Sequence, residues 1–213
     1  MAADGTIWPV VLSASRATDV PAFYADWFMR RLRAGFFRWT NPFNAAQVQT
    51  VSVAKTRAIV FWTKDPAGLW PHLDELDRTG IHYYFQYTLN DYEAEGLEPG
   101  LPPLAARLDS FRRLADRLGP ERVVWRLDPL LLTDRLGVPE LLDRAARILA
   151  HLARHTRKVV FSFADVAAYP AVKRNLARAG IAAGEFARGE MEDFARGLAE
   201  LNRARQGRAE PRP

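Results

Sequence analysis

Residues 13 to 19, SASRATD, place Ser13, Ser15, Arg16, Thr18 and Asp19 within seven positions, between the apolar run VVL and the helix start VPAFY. Hydroxyls, a guanidinium and a carboxylate this close together can do two kinds of work. They can begin a helix, with Asp19 accepting from its orphan N–H groups and Pro21 in its first turn. They can also hold an anion and move a proton, with Arg16 as the cation and Asp19 as the acid or base. Capping and chemistry use the same atoms, so both readings stay open.

Comparable polar groups recur at the ends of later apolar runs. FFRWTN ends in Arg38, Thr40 and Asn41, and IVFWTKD ends in Trp62, Thr63, Lys64 and Asp65. HYYFQYTLN carries Gln86, Thr88 and Asn90, VVWRLDP carries Arg126 and Asp128, and VVFSFAD ends in Ser162 and Asp165. Arg126 sits inside a run that otherwise reads as buried, and an unpaired cation there would cost several kcal/mol. Asp128, two residues along on the same strand face, is its natural neighbour, as a structural ion pair or as a fellow site residue. Lys64 is either an anion-binding point charge, a nucleophile or base if desolvated, or a solvated loop lysine. Asp65-Pro66 and Asp128-Pro129 repeat the Asp-Pro grammar of turns and helix starts. Trp62, Tyr87 and Trp125 can stack a planar group or simply fill a core. His151 and His155 have i, i+4 spacing, yet no carboxylate completes a zinc motif, and no metal site is expected.

These residues need a frame that brings many strand ends together. Short apolar runs alternate with helical patterns: PVVLSAS, FFRWTNP, RAIVFWTK, HYYFQYTLN, RVVWRLDP and KVVFSFAD are separated by segments such as LAARLDSFRRLADRLG. In that last segment Leu104, Leu108, Phe111, Leu114 and Leu118 form one apolar stripe, closed by Gly119-Pro120. Strand, helix, strand repeated about six times predicts an α/β protein with a parallel sheet. The first strand leads into SASRATD without a glycine-rich turn, which disfavours a doubly wound nucleotide-binding sheet. A parallel β/α barrel, partial or distorted, with about six βα units and C-terminal helices fits better, because its strand ends converge on one mouth. The stretch NPFNAAQVQTVSVA, residues 41–54, is free to add a strand or hairpin. A single domain over residues 1–201 and a basic, disordered tail over 202–213 are expected.

Composition narrows the chemistry. The 213 residues include no cysteine, which removes disulfides, thiolate metal sites, cysteine-ligated iron–sulfur clusters and a cysteine nucleophile. The net charge is +5. The tail holds four arginines, Arg203, Arg205, Arg208 and Arg212, against Glu210, a balance of +3, so the body is nearly neutral. A basic tail is a weak nucleic-acid signal. No run approaches the about 18 apolar residues of a membrane span, and no secretory signal precedes IWPVVL. A cytoplasmic protein without membrane partners is expected.

The strings SASRATDVPAFYADWFMRRLRAG, TNPFN, IVFWTKDP, LDELD, YYFQYTLNDY, PPLAARLDSFRRLADRLGPERVVWRLDPLLLTD and VVFSFAD resemble, in that order, an uncharacterised bacterial family classified as a domain of unknown function (number 1848). The resemblance runs from about Leu12 past Asp165. Longer members end in a cysteine-rich segment similar to the cluster-binding motif of radical S-adenosylmethionine proteins, which are built on partial β/α barrels. The cysteine-free chain departs from that pattern, so no cofactor is expected on it. What the resemblance carries over is the set of strand-end positions: Ser13, Ser15, Arg16, Thr18, Asp19, Asn41, Trp62, Thr63, Lys64, Gln86, Thr88, Asn90, Arg126 and Asp128. The expectation is an enzyme binding a small anionic or planar substrate at a barrel mouth, with Asp19, Lys64 and Asp128 catalytic and the others binding substrate. The alternative is a non-catalytic barrel module that binds nucleic acid or a protein partner after loss of the cysteine-rich segment.

Overall fold

The computed structural model describes residues 5–15, 18–41 and 44–209, with side chains through Arg205. Five parallel strands form one sheet in the order β1 (Val11–Ala14), β4 (Ala58–Thr63), β5 (His82–Thr88), β6 (Val123–Leu130) and β8 (Val159–Phe163). Helices follow these strands, as the alternation predicts. The sheet is open rather than closed, and the expected second strand is missing from it. Phe36–Asn41 (β2) instead turns back on Asn44–Ser52 (β3) as an antiparallel hairpin, with Phe37 opposite Val51 and Trp39 opposite Gln49. Period-2 patterning in NAAQVQTVS satisfies β2 locally, so β2 does not need a place in the parallel sheet. Asn41 therefore lies on the hairpin and not at the end of a sheet strand. Residues 16, 17, 42 and 43 lie outside the described residues, and the expected anion-binding Arg16 is among them.

The chain divides into two compact units: Met1–Thr88 with Arg122–Val124, and Leu89–Glu121 with Trp125–Pro213. In the first unit, β1 pairs with β4 and β4 with β5, all parallel, with Ser13 opposite Val60 and Trp62 opposite Gln86. The expected helix after Pro21 is two, α1 (Val20–Phe23) and α2 (Ala25–Arg33), broken at Tyr24. An aromatic cluster holds these layers together. Phe28 of α2 meets Phe61 edge-on at 5.3 Å, and Phe61 stacks on Phe85 at 5.2 Å. Gly68, in the short 3-10 helix Ala67–His72, lets this turn approach α1, since a Cβ there would stand 2.4 Å from the Pro21 carbonyl oxygen. The six-residue α3 (Leu73–Arg78) completes the unit's helices. β1 is an edge strand, and its Val11 is exposed.

In the second unit β6 pairs in parallel with β8, Arg126 opposite Val160. The predicted apolar stripe packs α4 (Leu104–Leu118) through Leu108, Phe111, Leu114 and Leu118. Helices α5 (Val138–Leu152), α6 (Pro170–Arg178) and α7 (Arg188–Ala209) and the short pair β7 (Leu132–Thr133) and β9 (Ala183–Gly184) complete it. α7 carries the described chain to Ala209. Arg205 donates to the Ala150 carbonyl at 2.9 Å, so part of the basic end is spent on closing a helix end. No helix among the described residues is long and apolar enough to cross a membrane.

Candidate functional site

Among the described residues of the polar stretch after β1, Ser15 and Asp19 are engaged in local structure. Asp19 Oδ1 accepts from the Ala22 N–H at 3.0 Å and caps α1. Its Oδ2 accepts from the Thr63 hydroxyl at 3.0 Å and from the Lys64 N–H at 2.7 Å, tying the α1 start to the end of β4. Burial pushes the Asp19 carboxyl above its usual range, against the pull of these three donors. Ser15 Oγ accepts from the Val20 N–H at 3.1 Å, and Ser13 Oγ accepts from the Trp62 indole at 3.1 Å. Ser15 has φ +86°, a left-handed backbone that costs on the order of 1 kcal/mol for a residue with a Cβ. Asp65 accepts from the Ala67 N–H at 3.0 Å, the turn expected of Asp-Pro. Thr18 is exposed, Gln86 and Thr88 are half-buried on β5, and the Asn41 amide donates to Gln47 Oε1 at 2.7 Å within the hairpin.

The second unit holds a different arrangement. Arg126 Nε donates to Asp128 Oδ2 at 3.0 Å, with Nη2 on the same oxygen. The Ser162 hydroxyl of β8 donates to Asp128 Oδ1. The pair predicted from i, i+2 spacing is therefore formed, and Asp128 departs from the turn role that its proline suggested. Beneath it lies a frame of buried polar groups. Asn90, 2% exposed, accepts from the Asp128 N–H at 3.1 Å and donates to the Asp128 carbonyl at 3.3 Å. Tyr92 donates to the Pro129 carbonyl at 2.9 Å and accepts from the Leu131 N–H at 3.0 Å. Burial drives its hydroxyl well above the usual tyrosine value.

The loop that carries Asn90 and Tyr92 is itself tied down. Arg107 of α4, 2% exposed, donates to the carbonyls of Pro102 and Asn90, both at 2.9 Å. Arg144 of α5 forks onto Glu95 with two bonds of 2.8 Å and also reaches the Asp91 carbonyl at 2.6 Å. The Glu95 bonds raise its pKa further. The Asp128 backbone is thus held by Asn90, and Tyr92 holds Pro129 and Leu131 beyond it, while the carboxylate oxygens meet the side-chain termini of Arg126 and Ser162.

Sequence reasoning named Arg126, Asp128 and Asn90 and quoted Ser162. It missed Tyr92, Arg107 and the Arg144–Glu95 pair. The signal available for Arg107 is its place in the buried stripe, one residue before Leu108. His155 Nε2 lies 3.5 Å from Asp116 Oδ1, and His151 is exposed on α5. Among the described residues no group of three or more His, Asp or Glu is placed to hold a metal ion.

Compared with known proteins, residues 11–209 match a family described as "Domain of unknown function (DUF1848)". No curated protein and no solved structure matches the chain.

Proposed function

The chain belongs to the DUF1848 family, and we propose that it is an enzyme that binds a small anionic or planar substrate beside Asp128, at the C-terminal end of β6. The observation that carries this reading is the Arg126–Asp128–Ser162 cluster on its braced backbone. Arg126 supplies the cation for a phosphate or carboxylate of the ligand, and a guanidinium suits a planar oxyanion. Ser162 can donate to the ligand or accept from it. Asp128 is the group positioned to take or give a proton, and bracing by Asn90 and Tyr92 pre-organises it. Parallel strands, each followed by a helix, support reading the open sheet as part of a β/α barrel wall, where strand ends carry the chemistry.

Thermal unfolding in the presence of inorganic phosphate, a nucleoside monophosphate and benzoate tests the site. At about a hundredfold excess over Kd, a bound member of the set raises the Tm of the wild-type chain by about 5 °C. Arg126→Gln abolishes that rise, whereas Asp128→Asn, which removes the carboxylate that competes for Arg126, keeps or enlarges it. A wild-type chain indifferent to all three, or a rise that survives Arg126→Gln, overturns the reading.

A further inference from the structure

We propose that the hairpin β2–β3 and the outer side of α2 form a docking surface for single-stranded nucleic acid, separate from the Asp128 cluster. The whole surface belongs to the first unit. Large rings are exposed there that a core would normally take: Phe23 is 75% exposed, Tyr24 50%, Trp39 44% and Trp27 40%. Trp27 lies 5.8 Å from Phe37, and Trp39 stands two residues beyond Phe37 on the same strand face. Phe23, Tyr24 and Trp27 follow one another along α1 and α2, and Trp27 and Trp39 both neighbour Phe37; exposed aromatics grouped in this way mark a binding surface rather than a surplus of core.

The charge around these rings selects the partner. Between Phe23 and Arg57 the sequence holds six cations, Arg30, Arg31, Arg33, Arg38, Lys55 and Arg57, against one acid, Asp26. That excess equals the net +5 of the whole chain. Arg33 is engaged bidentately by Glu75 at 2.6 Å, and Asp26 is bonded to His72 at 2.8 Å. Arg31 lies over the Phe36 ring at 4.2 Å, and Lys55 over Trp8 at 5.6 Å. Cations set among rings are the footprint of a chain that alternates phosphates with stackable bases. A protein-binding patch would instead lose charge at its centre.

The ribbon itself fits this role. It carries no acid, and Gln49 stands opposite Trp39, where its amide can meet a base edge. A two-stranded ribbon is marginal alone. This one is anchored at its base, where buried Phe37 packs on Phe28 at 5.1 Å and Ile7 bridges to Val51. Beyond that anchor both faces are exposed from Arg38 to Thr40 and from Asn44 to Val48.

Fluorescence anisotropy of a short labelled oligothymidylate tests the proposal on the full chain. Binding at about 50 mM salt should weaken about tenfold or more by about 200 mM, the slope expected of about three phosphate contacts. Trp39→Ala should weaken binding about tenfold with the salt slope kept, as loss of one stacked base does. Arg30→Gln with Arg38→Gln should weaken it and flatten the slope. Replacing the four tail arginines by Gln, or Asp128 by Asn, should change binding little. Trp39, Arg30 and Arg38 are exposed, and circular dichroism verifies that each variant is folded. Absence of binding at low salt overturns the proposal. So does binding lost with the tail but kept without Trp39, Arg30 and Arg38. Sedimentation showing that the chain pairs with itself through the hairpin, and loses this with Trp39→Ala, overturns it in favour of a second copy.

Discussion

Asp19 and Asp128 stand at comparable places, each beside the end of a parallel strand and each with a proline within two residues. They are satisfied in opposite ways. Asp19 is held by two backbone N–H groups and a hydroxyl 4% exposed, so every donor is fixed by the fold. Asp128 has its backbone fixed by Asn90, while its carboxylate meets the ends of two side chains, Arg126 and Ser162. A side-chain terminus can turn from a carboxylate to a ligand, whereas a backbone N–H at a helix start cannot. Polarity at a strand end is architecture in the first case, and in the second it leaves side-chain partners that can exchange, as the proposed site requires.

The sharpest way to break this contrast is to remove the Asp19 carboxylate. Asp19→Ala deletes a helix cap worth about 1 kcal/mol. It also leaves the Lys64 N–H and the buried Thr63 hydroxyl without that acceptor, at about 1 to 3 kcal/mol more. A loss of about 3 kcal/mol in urea unfolding is expected, with the ligand response at Asp128 intact in the folded fraction. A loss below about 0.5 kcal/mol would sink the architectural reading of Asp19.

How far these roles could be read from sequence differs between the two sites. The cap was legible because capping is local: Asp19, Val20 and Pro21 are neighbours, and the bonded N–H is three residues on. Arg126 with Asp128 was legible from the period of two along a strand. The brace was not, because its partners are distant in the chain. Tyr92 reaches a carbonyl 37 residues away, and Arg144 a carboxylate 49 residues away. Asn41 was misplaced for a related reason: apolar runs show that a strand forms, and pairing then decides which sheet it joins. The near-neutral body implied by the tail arginines hid the six cations near the hairpin, since a sum over the chain discards position.

A smaller stability effect is expected where chemistry dominates. Asp128→Asn keeps the shape and keeps the backbone bonds to Asn90, and it removes a charge pair that is partly open to solvent. The Asn amide oxygen can still accept from the Arg126 guanidinium, which is only 11% exposed, so the cation loses its counter-charge but keeps an acceptor, at about 1 to 2 kcal/mol. Unfolding free energy should therefore fall by about 1 to 2 kcal/mol, less than for Asp19→Ala. A fall as large as that of Asp19→Ala would make Asp128 a second structural carboxylate and erase the distinction.

The finest test uses protons. The Asp19 carboxyl is raised by burial above its usual value near 3.8, so between that value and its folded pKa the native chain binds more protons than the unfolded chain. Its contribution to stability is thus fully present below about pH 4 and declines as pH rises through the folded pKa. Glu75 and Glu140, lowered by Arg33 and Arg144, act in the opposite sense, so the wild-type curve alone mixes signs. Asp19→Asn removes one titrating group and leaves the glutamates in place. Measured by urea unfolding from about pH 4 to 7, wild-type stability minus that of Asp19→Asn should be greatest at the acid end and shrink with rising pH. A difference that is flat, or that grows with pH, would mean that the Asp19 donors outweigh its burial. The carboxylate would then be held as an ion by the fold, and the contrast with Asp128 would rest on geometry alone.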